Sequence, residues 1–150
     1  MTDRILVPVD GSEQSRRAFD TATTMFDDAE FVVLHVIEPY DVAAVTESAV
    51  WDDEFVTERE REAETVLDEF RDLATELDVD AQFELTHGRP SRAILEAIGE
   101  FNVDHVVMGS RGRRRVARVL LGSVAETVTK RAPVAVTIVR PGEGVEVQTS

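Results

Sequence analysis

Short unbroken apolar runs alternate with helix-periodic segments along this chain, and few architectures accept that rhythm. Ile5-Leu6-Val7-Pro8-Val9 is the first run, and it stops at Asp10-Gly11-Ser12. A strand covered on both faces reads this way, because neither side needs polar residues. Ser12 is placed to cap a helix. Ala18, Phe19, Ala22, Met25 and Phe26 then recur at helical spacing as an inner stripe. Phe31 to Ile37 is a second apolar run, stopped by Pro39.

Glu38 to Glu54 contains Trp51 and has no firm period, so it is expected to form a mobile crossover. Ala63, Val66, Leu67, Phe70, Leu73, Ala74 and Leu77 form the next helical stripe, with Glu and Arg on the opposite face. Asp80 to Thr86 alternates instead, with Ala81, Phe83 and Leu85 between polar neighbours. Such a strand has one wet face, as at a sheet edge. Gly88 and Pro90 mark a turn and a helix start, and Ile94, Leu95 and Ile98 form that helix's inner stripe. His105 to Met108 is the fourth run, Ser123 to Arg131 the last helix, and Val134 to Val139 the fifth run. From Pro141 the chain reads as a flexible tail, leaving residues 1–140 as one domain.

The pattern is that of an α/β fold. The expected architecture is a doubly wound, Rossmann-like, five-stranded parallel sheet in order 3-2-1-4-5, with helices on both faces. The fifth strand is then an edge, yet its residues are apolar on both faces. A bare apolar edge invites pairing with another chain. A homodimer through Val134–Val139, around a two-fold axis, is therefore expected.

Composition narrows the setting. The formal net charge is −14, and Lys130 is the single lysine among 16 basic residues. An acidic surface with Arg in place of Lys suits a cytoplasm of molar salt, which suggests a halophilic origin. An acidic protein from an ordinary cell carries the same charge. Either way the field opposes nucleic acid and anionic membranes. No membrane-length apolar stretch or signal peptide is seen, so a cytoplasmic location is expected. With no cysteine, thiolate chemistry is excluded.

In an open parallel sheet the ligand crevice lies beyond the carboxyl ends of the strands, where the winding reverses. Two loops leave there, Asp10-Gly11-Ser12 and Gly109-Ser110-Arg111-Gly112. Nine residues after the second loop comes Gly122-Ser123, at the start of the last helix. Gly109 and Gly112 admit a close backbone approach, and their amides are expected to form an anion nest. Helix-opening amides and the helix dipole at Gly122-Ser123 suit a phosphate. A second reading of Ser123 is local: Ser123-Val124-Ala125-Glu126 has the capping-box pattern. Asp10 likewise reads either as a ligand residue or as a turn and helix-start charge.

Val107-Met108-Gly109-Ser110-Arg111-Gly112, followed by Leu121-Gly122-Ser123-Val124-Ala125, resembles the signature of the ATP-binding branch of the universal stress proteins. Ile5 to Ser12 and Leu34-His35-Val36-Ile37 are similar to that family's first two strand ends. The resemblance covers about residues 3–140. It implies the same doubly wound sheet, a dimer through the last strand, and ATP, ADP or AMP in the crevice, with Mg²⁺. By position it implies that Pro8, Val9 and Asp10 line the nucleotide, with Asp10 near the ribose or a phosphate-bound Mg²⁺. It further implies that the Val36 backbone contacts adenine and that Met108 packs beside the nucleoside. Gly109, Arg111, Gly112, Gly122, Ser123 and Val124 would hold ribose and phosphates. Both Val36 and Met108 also read as plain core positions. Ala135 departs from the family, which often has a proline there.

Three functions fit these residues. The first is a dimeric binding module that responds to stress through a client not legible in the sequence. The second is a slow ATPase or adenylyl-transfer enzyme. The third is a nucleotide-free scaffold. The P-loop lysine motif and the Rossmann G-x-G-x-x-G are both absent, which argues against those phosphate-binding modes and against NAD. Arg111, Arg113, Arg114, Arg115 and Arg118 make the second loop basic, with phosphate rather than DNA as the expected contact. His35, His87 and His105 lack metal-ligand spacing and are read as packing or surface residues. No nucleophile and base pair is evident, so no catalytic residue is assigned.

Overall fold

The structure, a computed structural model, describes residues 2–38, 53–111 and 121–141. The expected crossover, apart from its ends, lies outside these residues. So do Gly112, Arg113 to Arg118 and all of the expected tail beyond Pro141.

Five strands, β1 (Arg4–Pro8), β2 (Glu30–Ile37), β3 (Asp80–His87), β4 (His105–Gly109) and β5 (Ala135–Val139), form one sheet. Its order is β3-β2-β1-β4-β5 and every pairing is parallel. The helices are α1 (Glu13–Met25), α2 (Asp53–Leu77), α3 (Pro90–Glu100) and α4 (Ser123–Arg131). Parallel neighbours need crossovers, and the helices that supply them cover both faces.

One face is closed by α1 and α2. Ile5, Val7, Phe31, Val33 and Val107 of the sheet pack there against Phe19, Leu67 and Phe70. Phe19 meets Phe31 and Phe70 edge-on, at centroid distances of 6.2 and 5.6 Å. The other face is closed by α3 and α4, where Leu6, Val32, Leu34, Val106 and Met108 meet Ile94, Ile98, Ala125 and Val128. The three inner strands are buried on both faces, which is why they read as unbroken apolar runs.

Three expectations shift. Met25 and Leu77 belong to the predicted stripes but are 48% and 44% exposed. Both are the last residues of their helices, where the helix leaves the sheet. α2 starts at Asp53, well before its apolar stripe. Its early turns are held by helix-favouring Glu and Arg, which pair as Arg61–Glu58 and Arg59–Glu62 at 2.9 and 3.0 Å.

The end of the sheet opposite the cleft is tied down by polar bonds. Arg4 pairs with Glu30 at 2.7 Å and donates to the Phe101 carbonyl at 3.0 Å. Ser12 caps α1 as expected, its Oγ accepting from the Ser15 N–H at 3.2 Å. Among the described residues no helix is long and apolar enough to cross a membrane.

Candidate functional site

The site begins with a split in the sheet. β1 pairs with β2 as far as Pro8↔Leu34, and β4 pairs with β5 as far as Gly109↔Val139. β1 and β4 pair with each other only at Ile5↔His105 and Leu6↔Val106. Strand alternation explains the gap. The Val9 N–H donates toward β2, to the Leu34 carbonyl at 2.8 Å, so the Pro8 nitrogen faces β4. Proline has no N–H to continue that ladder.

A cleft of about 990 Å³ fills the space beyond the split. Pro8, Val9, Asp10, Val36, Met108, Gly109, Arg111, Gly122, Ser123 and Val124 all line it. These are the residues singled out in the sequence, apart from Gly112, which lies outside the described residues.

At one wall is β2. The Leu34 carbonyl points to β1, and the Ile37 carbonyl accepts from Gly88 on the β3 side at 2.9 Å. By the same alternation the Val36 N–H and C=O point toward β1, past its end, into the cleft. This peptide edge offers one donor and one acceptor.

At the opposite wall is the start of α4. Gly122 is the N-cap, with extended backbone and no side-chain cap bond. The capping-box reading of Ser123 is therefore overturned. Ser123 is the first helical residue, one place too late for its hydroxyl to cap. Its hydroxyl and the first-turn amides of Ser123 and Val124 have no intrahelical partner to bond. They carry the positive end of the helix dipole into the cleft.

Of the anion nest expected at the glycine turn, Gly112 lies outside the described residues and the neighbouring amides are already bonded. The Ser110 N–H donates to the Val139 carbonyl at 2.9 Å, and the Gly122 N–H to the Ser110 carbonyl at 2.7 Å. The Arg111 N–H donates to Gln14 Oε1 at 3.1 Å. These amides hold the turn together instead of facing a ligand. The glycines serve close packing: a Cβ on Gly122 would lie 3.3 Å from the Ser110 carbonyl oxygen, and one on Gly109 would lie 3.2 Å from Gln14 Cβ.

Asp10 Oδ1 accepts the Ser12 N–H at 2.9 Å, so the turn role read from the sequence is present. Gly11 turns the chain with φ of 83°, a left-handed value suited to glycine. Val36 is half-buried, whereas Met108 is buried and belongs to the core as well as to the cleft wall. His35, read in the sequence as ordinary packing, is 7% exposed, lines the cleft and holds the Val9 carbonyl through Nδ1 at 2.8 Å. Sequence reasoning also missed Arg59 and Arg89, which bring cations to the β2 side of the cleft. No local motif marks them, because α2 and the β3–α3 turn are brought there only by folding. His87 and His105 lie apart, near Glu60 at 3.6 Å and Thr137 at 2.7 Å.

In a doubly wound α/β domain, a cleft at the winding reversal lies where such open sheets bind their ligands. Residues 1–140 match the model of the universal stress protein family, and the chain belongs to that family. A universal stress protein of Staphylococcus aureus strain USA300 is 32% identical over 143 residues, spanning 93% of this chain and 84% of the relative. The solved structure of hypothetical protein MJ0577 superposes with a TM-score of 0.82 at 26% identity, covering 94% of this chain and 97% of that one. A universal stress protein solved in complex with cAMP gives a TM-score of 0.63 at 26% identity, covering 91% and 95%.

Proposed function

We propose that this chain binds an adenine nucleotide in the β1/β4 cleft and acts as a dimeric regulatory module in the cytoplasm. One observation carries the reading: a donor–acceptor peptide edge at Val36 faces a cleft whose opposite wall is the open N-terminus of α4. The first wall suits a flat base with both a donor and an acceptor on its edge. The second suits phosphate. The cAMP complex of a relative agrees with an adenine ligand.

In this reading Ser123 and Val124 hold phosphate with their amides, and the Ser123 hydroxyl adds a bond. Gly122 keeps the wall thin enough for approach. Pro8, Val9 and Met108 pack against the nucleoside. Arg111 supplies charge, and Gly112 adds a further amide. Asp10 lies near the ribose or a phosphate-bound Mg²⁺. ATP is the proposed ligand, with ADP and AMP as smaller members of the same class. A second copy of the chain covers β5, and the acidic, arginine-rich surface is an adaptation to molar salt. Neither nucleic acid nor membrane is part of this function.

Acid extraction of protein purified at high salt tests the ligand. Release of intact ATP that persists after incubation with Mg²⁺ supports a binding module. Conversion to ADP or AMP moves the protein to the ATPases. Release of no adenine nucleotide, with no binding on titration, removes the reading.

A further inference from the structure

We infer that Gln14 is a positioning residue that sets the phosphate-binding end of the cleft through a single peptide plane. The inference rests on the nucleotide reading above and deepens it. Gln14 is the second residue of α1 and is 5% exposed. Its Oε1 accepts the Arg111 N–H at 3.1 Å and lies 3.4 Å from the Ser110 hydroxyl, which donates to it. Its Nε2 is buried and has no hydrogen-bond partner among the described residues.

An unpaired buried donor weakens a fold, so an apolar side chain of the same shape would serve packing better. Packing alone therefore leaves a glutamine at this position unexplained. What glutamine adds is the acceptor on Arg111. The Arg111 N–H and the Ser110 C=O belong to one trans peptide, so they point in opposite directions. One end is taken by Gln14 and the other accepts the Gly122 N–H at 2.7 Å. Gly122 is the N-cap of α4. Gln14 thus orients the peptide that orients the cap, and the cap places the Ser123 and Val124 amides. Gly109 is fitted to the same side chain, since a Cβ added to it would stand only 3.2 Å from Gln14 Cβ. The link touches the phosphate wall and leaves the Val36 wall alone.

The test is calorimetric titration of wild type and Gln14→Met with adenosine and with ATP, beside amide hydrogen exchange of the ligand-free proteins. Met keeps the length of the side chain and removes its hydrogen bonds. ATP affinity is expected to fall about tenfold, the worth of one good hydrogen bond, with adenosine affinity unchanged. Exchange of the Gly122 amide is expected to quicken, and Gln14→Glu, which keeps the acceptor, to restore its protection. Equal losses for adenosine and ATP, or no loss for either, overturn the inference, as does unchanged Gly122 exchange. If wild type binds no nucleotide, the parent reading fails as well. Quickened Gly122 exchange would still support the mechanical link from Gln14 to the cap.

Discussion

Gly122 works in two directions at once. Its N–H closes the turn onto Ser110, and its missing side chain lets the Ser110 and Arg111 backbone pack close against it. A valine would bring its Cβ to 3.3 Å from the Ser110 carbonyl oxygen and 3.5 Å from Arg111 Cα, so the turn that sets the cap would have to shift. Gly122→Val is expected to lower ATP affinity at least about tenfold in titration, equivalent to roughly 1.4 kcal/mol. Unchanged affinity in a folded variant would take Gly122 out of the site. In the core, Phe70 is fully buried against Phe19, and Phe70→Ala should cost about 3–5 kcal/mol in chemical denaturation. At this scale the glycine and serine positions were legible, because small residues at a strand end and helix start have few other uses. Gln14, Arg59 and Arg89 were not. Their positions around the cleft depend on elements that meet only after folding, and a lone Gln or Arg in a helix or turn carries no local signal.

At the scale of elements, periodicity revealed the strands well because the inner ones are buried on both faces and the β3 edge is wet on one. Helix ends were harder to read. α2 starts well before its buried stripe, and from Thr57 to Glu62 its mostly exposed turns are favoured by propensity and ion pairs such as Arg59–Glu62. The turns at Asp28, Asp78 and Asn102 take left-handed backbone, with φ of 63°, 56° and 54°. None uses the glycine that marks such a turn most plainly, although Asp and Asn tolerate this region. β5 remains the open edge of the sheet among the described residues. The Val139 carbonyl faces β4, so the Val136 and Ile138 main chains face outward. Val136→Pro removes an outward N–H and leaves the β4 ladder its donors. Light scattering is expected to show a monomer, and circular dichroism an unchanged helix content. A dimer of undiminished mass would exclude pairing through this edge.

For the whole molecule, the fold and the cleft follow from one topological fact: the winding reverses between β1 and β4, and proline stops the ladder there. Order 3-2-1-4-5 was legible because the third run alternates while the first, second and fourth do not. Which amides are left to face the cleft was less legible, since which ones the turn consumes depends on distances within it. Charge also acts at this scale. A net charge of −14 repels itself in dilute buffer and is screened within about 3 Å at molar salt. Raising KCl from 0.1 to about 2 M should lift the Tm by about 5–10 °C, at roughly 2–4 °C per kcal/mol for a domain of this size. A Tm that falls as salt is added would exclude the halophilic reading.

The nucleotide site is tested most directly by a crystal structure grown with millimolar ATP and Mg²⁺. The account predicts phosphate oxygens within hydrogen-bond distance of the Ser123 and Val124 amides and a base against the Val36 peptide edge. A well-ordered cleft filled with solvent alone, or ATP bound elsewhere on the surface, would contradict it.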